Sequence, residues 1–189
     1  IPDMLGHFST AWPGVRLELQ QGDTREVLRL LQDELVELAV VGGQVDDDSI
    51  NMQEVMTERI ILVARPGLCP VEVIERDQLV QLPLVIREAG SGTRTAVDAA
   101  LQKNGIDPRQ LHVVAQLGSS EAVRRAVLSG AGAAFVSTLA VGHELTDGTL
   151  VELTVSGLTI NRSFYLAWRR GKSLSPAALE FMAMVKQSR

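Results

Sequence analysis

Cysteine is nearly missing from this chain of 189 residues, and that scarcity removes several functions at once. Cys69 has no second thiol with which to form an intrachain disulfide, and no Cys-x-x-Cys metal or redox pair exists. It stands in Gly67-Leu68-Cys69-Pro70, a turn-like stretch, and reads as a partly buried small apolar residue rather than a reactive thiol. Aromatic residues are also scarce, at 4%, so the core must come from Leu, Val, Ile and Ala. His7, His112 and His143 lie far apart with no partner at metal-binding spacing, and no Gly-x-Ser-x-Gly nucleophile elbow occurs. Neither an enzyme nor a bound cofactor is expected. No apolar run approaches the roughly 20 residues of a bilayer span and no signal peptide opens the chain, so the cytoplasm is the expected compartment, without membrane contact. Positive charge is short as well: 18 Lys and Arg face 23 Asp and Glu, for a net charge of −5. A module that grips DNA by its phosphates needs a basic face. Any DNA binding by the intact protein is expected from another segment.

What is present is a soluble α/β pattern, 46% hydrophobic and 22% charged. Ile1, Leu5, Phe8 and Trp12 recur at helical spacing until Pro13-Gly14. A domain seldom opens on an uncapped amphipathic helix, so a preceding strand is expected outside the sequence. Val15, Leu17 and Leu19 alternate with polar residues and predict a half-buried strand. Asp23 and Glu26 form a capping box for a helix burying Val27, Leu28, Leu31 and Leu35, and Leu38 to Val41 predict a parallel strand. Asp46, Asp47 and Asp48 read as a solvated loop, lacking the spacing of a calcium site. Arg59 to Ala64 is a further strand, closed by Pro66-Gly67.

A second strand–helix cycle follows. Strands are predicted at 82–86, 113–115 and 133–136, with helices after Gly92 and Ser120 ending at Asn104-Gly105 and Gly130. Leu150 to Leu153 and Phe164 to Trp168 are the last strands. Ser175-Pro176 opens the final helix, with Leu179, Met182 and Val185 facing the core. Asn161-Arg162-Ser163 matches a glycosylation pattern only by chance.

Chemistry is expected where apolar strands give way to helices, at Gly22-Asp23-Thr24, Gly90-Ser91-Gly92-Thr93, Gly118-Ser119-Ser120 and Ser137-Thr138. In open parallel sheets ligands bind outside the carboxyl ends of strands, where helix N-termini offer free N–H groups and a partial positive charge. Any one such turn is adequately explained as a helix cap. Gly90-Ser91-Gly92-Thr93 stands apart because its glycines allow close backbone approach and Arg94 adds a cation. It lacks the Gly-Lys-Ser/Thr ending of a nucleotide loop. The candidate ligand-binding residues are Thr24, Gly90, Ser91, Gly92, Thr93, Arg94, Ser119, Ser120 and Ser137.

These phrases, taken in order, resemble the effector-binding domain of LysR-type transcriptional regulators. Leu17-Glu18-Leu19 through Gly42 resembles that family's first lobe. Arg87 to Arg94, Gly118 to Val123, Gly130 to Ser137, Phe164 to Trp168 and Leu174 to Leu179 are similar to its later signatures, in a branch that includes regulators of carbon fixation and sulfur metabolism. The resemblance implies a two-lobed type 2 periplasmic-binding-protein fold, each lobe a mostly parallel sheet flanked by helices, with two crossover strands. Residues 1–64 plus 154–189 would form one lobe and 65–153 the other. It also implies a small-molecule effector between lobes, which the helix N-termini, hydroxyls and Arg94 predict to be an anion, a homodimer that becomes a tetramer at full length, and a winged helix-turn-helix outside these residues. Glu37 stands where the family usually has Asp. A solute-binding component of a transporter shares the fold and is the alternative. An enzyme on the same scaffold, such as a prephenate dehydratase or porphobilinogen deaminase, would need a catalytic constellation or a cofactor-bearing Cys.

Overall fold

The computed structural model describes residues 2–187; Ile1, the first position of the predicted helical stripe, lies outside the described residues. The chain opens with α1 (Pro2–Ala11) and α2 (Thr24–Gln32), then β1 (Ala39–Gly42) and the long β2 (Ile50–Ala64). There follow β3 (Val73–Ile74), α3 (Arg76–Gln81), β4 (Leu84–Arg87) and α4 (Gly92–Lys103). Next come β5 (Val113–Leu117), α5 (Ser120–Leu128), β6 (Ala134–Ser137) and α6 (Gly142–Thr146). The chain closes with β7 (Val151–Val155), β8 (Ile160–Arg169) and α7 (Pro176–Gln187). Contacts divide it into two units, one built from the chain up to Thr57 and from Ser163 onward, the other from Glu58–Arg162.

In the first unit β1 runs antiparallel to β8, with Ala39 opposite Ala167 and Gly42 opposite Phe164. Leu28 and Leu31 of α2 pack on Ala39, Val41 and Ala167. Burying a leucine side chain of this kind contributes about 1.5–3 kcal/mol. Phe8 of α1 is buried and meets Phe181 of α7 edge-on, ring centroids 5.4 Å apart. Four expectations fail in this unit, the first being the parallel pairing of Leu38 to Val41, since the ladder β1 forms with β8 is antiparallel. The alternating segment at Val15, Leu17 and Leu19 forms no strand, and Leu17 and Leu19 are exposed. Alternation becomes a strand only when a neighbour completes its ladder, and β1 pairs with β8 instead. Leu35 is 66% exposed because α2 ends at Gln32 and Glu34 turns into the left-handed region at φ 60°. Leu179 is 52% exposed, since α7 buries Ala178, Met182 and Val185, a stripe one position away.

The second unit contains the expected strand–helix–strand in β4, α4 and β5, with Val85 opposite Ala115 in parallel register. A parallel bridge between Leu84 and Ala133 joins β4 to the strand run of β6. Gly132 makes this possible: at φ +156° a Cβ there would lie 2.3 Å from the Pro83 oxygen, which accepts the Ala133 N–H at 2.8 Å. Beyond β6 the ladder turns antiparallel, with Ile60 of β2 opposite Ser137 and Leu62 opposite Leu153 of β7, and β3 runs parallel to β7. The pairing is therefore mixed: β4 and β5 form a two-stranded parallel sheet tied to β6 by that bridge, and the larger sheet is antiparallel around β2.

Period-2 alternation splits its apolar run between two cores. Ile60, Leu62 and Leu84 pack with Val97 and Leu101 of α4, while Ile61, Val63 and Val85 pack with Val123 and Val127 of α5. Cys69 rests partly buried against the first of these cores, as its neighbours predicted. Because β4 runs parallel to both β5 and the start of β6, the carboxyl ends of all three strands face one way. The starts of α4 and α5 and the Ser137 turn lie at that end.

Candidate functional site

Among the described residues, the buried polar or charged side chains are Glu58 (6% exposed), Ser91 (5%) and Thr93 (7%). Ser91 and Thr93 stand at the start of α4, and Glu58 is linked to Thr93 through Arg162. Gly90 takes φ +99°, which an L side chain resists, and so turns the chain out of β4 toward the helix. Ser91 is the N-cap, its Oγ accepting the Arg94 N–H at 3.4 Å. Thr93 Oγ1 accepts from Arg162 Nη1 at 3.0 Å. Arg162 also grips Glu58 Oε1 through Nε, at 2.7 Å, and through Nη2. Glu58 Oε2 takes the Ser137 hydroxyl at 2.5 Å. A continuous polar line thus runs from Thr93 through Arg162 and Glu58 to Ser137.

The direction of each hydrogen bond decides what the hydroxyls can still do. A hydroxyl has one proton and two lone pairs, whereas a guanidinium only donates and a carboxylate only accepts. Ser91 Oγ accepts from Arg94 N, Thr93 Oγ1 from Arg162, Ser119 Oγ from Ala122 N at 3.1 Å, and Ser120 Oγ from Arg87 Nη1 at 2.6 Å. Each of these hydroxyls uses a lone pair toward the protein and keeps its proton to give. Ser137 is the opposite case: it accepts from Leu139 N and its proton goes to Glu58. The helix starts therefore present donors, backed by the backbone N–H groups of α4. The first turn of α4 holds no acidic residue.

The charges nearby are mostly matched. Arg94 turns along its own helix, Nε lying 2.8 and 2.7 Å from the two Asp98 oxygens. Arg87 holds Glu88 through Nε and Nη2, keeping that carboxyl below the usual range. At α5, Arg124 and Arg125 hold the Glu121 carboxyl down to about 2.

Thr24 lies in the first unit as the opening residue of α2. Its helix start is closed by its own acids: Asp23 accepts from Arg25 and Glu26 N–H, and Glu26 accepts the Asp23 N–H at 3.0 Å. A hollow of about 470 Å³ in the same unit is lined by Asp46, Asp47 and Asp48 with Trp168 and Arg170, a poor match for an anion. Among the described residues no cluster of His, Cys, Asp and Glu could hold a metal ion.

The site residues that sequence reasoning missed are Glu58, Arg162 and Arg87. A signal for two of them existed. Glu58 lies two positions before Ile60 on β2, and Arg162 two positions after Ile160 on β8, and both isoleucines belong to the core. Opposite charges on core-facing positions of two strands must pair.

A family model described as the LysR substrate binding domain matches residues 1–189. Among curated relatives, a protein of Anaeromyxobacter dehalogenans named phosphonates import ATP-binding protein PhnC is 35% identical over 98% of this chain, but the match spans 38% of that protein. Its name speaks of ATP, yet this chain carries no complete phosphate-binding loop: Gly171-Lys172-Ser173 has Leu166 where the first glycine belongs. The transcriptional activator CmpR of Synechocystis is 29% identical over 96% of this chain and 60% of its own length. The chain thus spans less than two thirds of these relatives. The solved structure of the Synechocystis CcmR regulatory domain in complex with 2-PG is similar over 99% of this chain and 89% of that one, with a TM-score of 0.86 and 26% identity.

Proposed function

We propose that this chain, which belongs to the family of LysR substrate-binding domains, senses a small anionic metabolite on behalf of a transcriptional regulator. The observation that carries this reading is the pair of buried hydroxyls, Ser91 and Thr93, at the start of α4, each already accepting a hydrogen bond from the protein. A buried hydroxyl array at a helix N-terminus suits acceptor oxygens of a carboxylate, phosphate or phosphonate. Ser91 and Thr93 are its centre, with Gly90, Gly92 and Arg94 shaping the turn and Ser119 and Ser120 adding donors. Ser137 serves by holding Glu58. A relative named as a transcriptional activator and a neighbour solved with 2-PG support binding rather than catalysis. Within the full-length protein, DNA would be held by another segment of a cytoplasmic homodimer or tetramer.

The test is calorimetric titration with 2-PG, inorganic phosphate and a simple alkyl phosphonate. We expect saturable binding of at least one of them, lost together with the ligand-induced rise in melting temperature in Thr93→Val. Binding that survives Ser91→Ala and Thr93→Val unchanged would reduce these turns to helix caps.

A further inference from the structure

An ion pair buried this deeply calls for a reason. The Glu58 side chain is 3% exposed and that of Arg162 15%. Removing both charges from water offsets most of their attraction, and apolar residues of similar volume would hold the two strands equally well or better. What apolar residues cannot do is direct a proton. Arg162 Nη1 fills a lone pair of Thr93 Oγ1, and a guanidinium cannot accept the hydroxyl proton in return. The Thr93 proton must therefore point away from Arg162. The charge-assisted bond into its oxygen also polarises the O–H and strengthens the bond it gives. Glu58 fixes the guanidinium through Nε and Nη2, and Ser137 fixes Glu58 in turn.

Resting on the reading that an effector occupies the α4 start, we infer that Arg162, held by Glu58, is a specificity-determining positioning residue for that site. By filling one lone pair it aims the Thr93 proton away from the guanidinium, so the position favours a ligand that presents an acceptor oxygen over one that presents an ammonium group, which only donates. Glu58 cancels the charge of Arg162, so the site gains direction while its preference for a negative ligand comes from the open end of α4.

A double-mutant cycle tests this. Glu58→Gln with Arg162→Met removes both charges together, so neither is left stranded in the interior. The paired change is made in the parent and in a Thr93→Val background. Affinity is read by calorimetry with 2-PG, inorganic phosphate and a simple alkyl phosphonate, and the ligand-free melting temperature reports the fold. In the parent, affinity should fall about threefold to tenfold, the range of one modest hydrogen-bond contribution. In the Thr93→Val background the same change should have no further effect, because its path runs through the missing hydroxyl. Equal losses in both backgrounds, or no loss in either, overturn the inference. Arg162→Lys, which keeps the charge, provides the same comparison if the paired variant melts too low, with about a twofold loss confined to the Thr93 background. A parent that binds none of the probes overturns the functional reading itself, before any variant is compared.

Discussion

At the start of α2, Asp23 and Glu26 close the helix end between themselves, in the open, with two carboxylates filling the backbone donors. At the start of α4, a neutral serine caps a buried turn, no acid stands in the first turn, and the threonine behind it is held by a charged pair from two distant strands. The two sites share a local pattern of glycine, hydroxyl and helix. They differ in whether the helix dipole is already answered by the protein's own charge. A self-closed start is a stability device, while one left open but buried is a place for a ligand's charge.

The largest effect that sharpens this contrast belongs to Arg162→Met made alone. It strands the Glu58 carboxylate in the interior and should cost about 3–5 kcal/mol in urea unfolding. Glu26→Gln, at the exposed α2 start, should cost less than about 1 kcal/mol. Equal costs would erase the distinction. Next comes Thr93→Val, expected to weaken binding of 2-PG or phosphate by tenfold to over a hundredfold, about 1.5–3 kcal/mol, by calorimetry. Asp23→Ala and Ser91→Ala form a matched pair. Each removes an N-cap and should lower stability by about 1 kcal/mol, but only the serine change should reduce anion affinity. Thr24→Val, at the self-closed α2 start, should change binding least, by less than about twofold.

Acid titration separates the second unit's two helix starts from each other. Glu121 of α5 titrates at about 2, below its ordinary value of 4.5, because Arg124 and then Arg125 donate to it. A lowered carboxyl stabilises the folded state above its ordinary value, and this contribution disappears as pH falls from about 4.5 toward 2. The parent's melting temperature should therefore fall more steeply through that window than that of Glu121→Gln. Parallel curves would show that the arginines do not hold this acid in solution.

Much of the second unit was legible because its local signals agree. Apolar strands, glycine turns, hydroxyl caps and the Asn104-Gly105 stop all fall where the elements begin and end. The candidate turn at Gly90 to Thr93 was visible for the same reason. The Glu58–Arg162 pair was not read, because its partners lie 104 residues apart and each sits among polar neighbours that suggest a surface strand. The N-terminal half of β2, Ile50 to Glu58, escaped notice for a related reason: its apolar residues are too sparse to form a run. At Val15 to Leu19 the error was the reverse, since alternation promised a strand that no neighbour completes. Sequence reports what a segment prefers, and pairing at long range decides whether it obtains it.

The central claim is that an anion binds at the open start of α4, and backbone amide shifts report it most directly. With isotope-labelled protein and 2-PG or inorganic phosphate added stepwise, the account predicts the largest saturable shifts at Ser91, Gly92, Thr93 and Arg94. Smaller shifts should appear at Ser119 and Ser120, and the amides of Arg25 and Glu26 should stay near their starting positions. Saturable shifts centred on the acid-lined hollow from Gln44 to Gln53, with residues 91–94 unmoved, would contradict it.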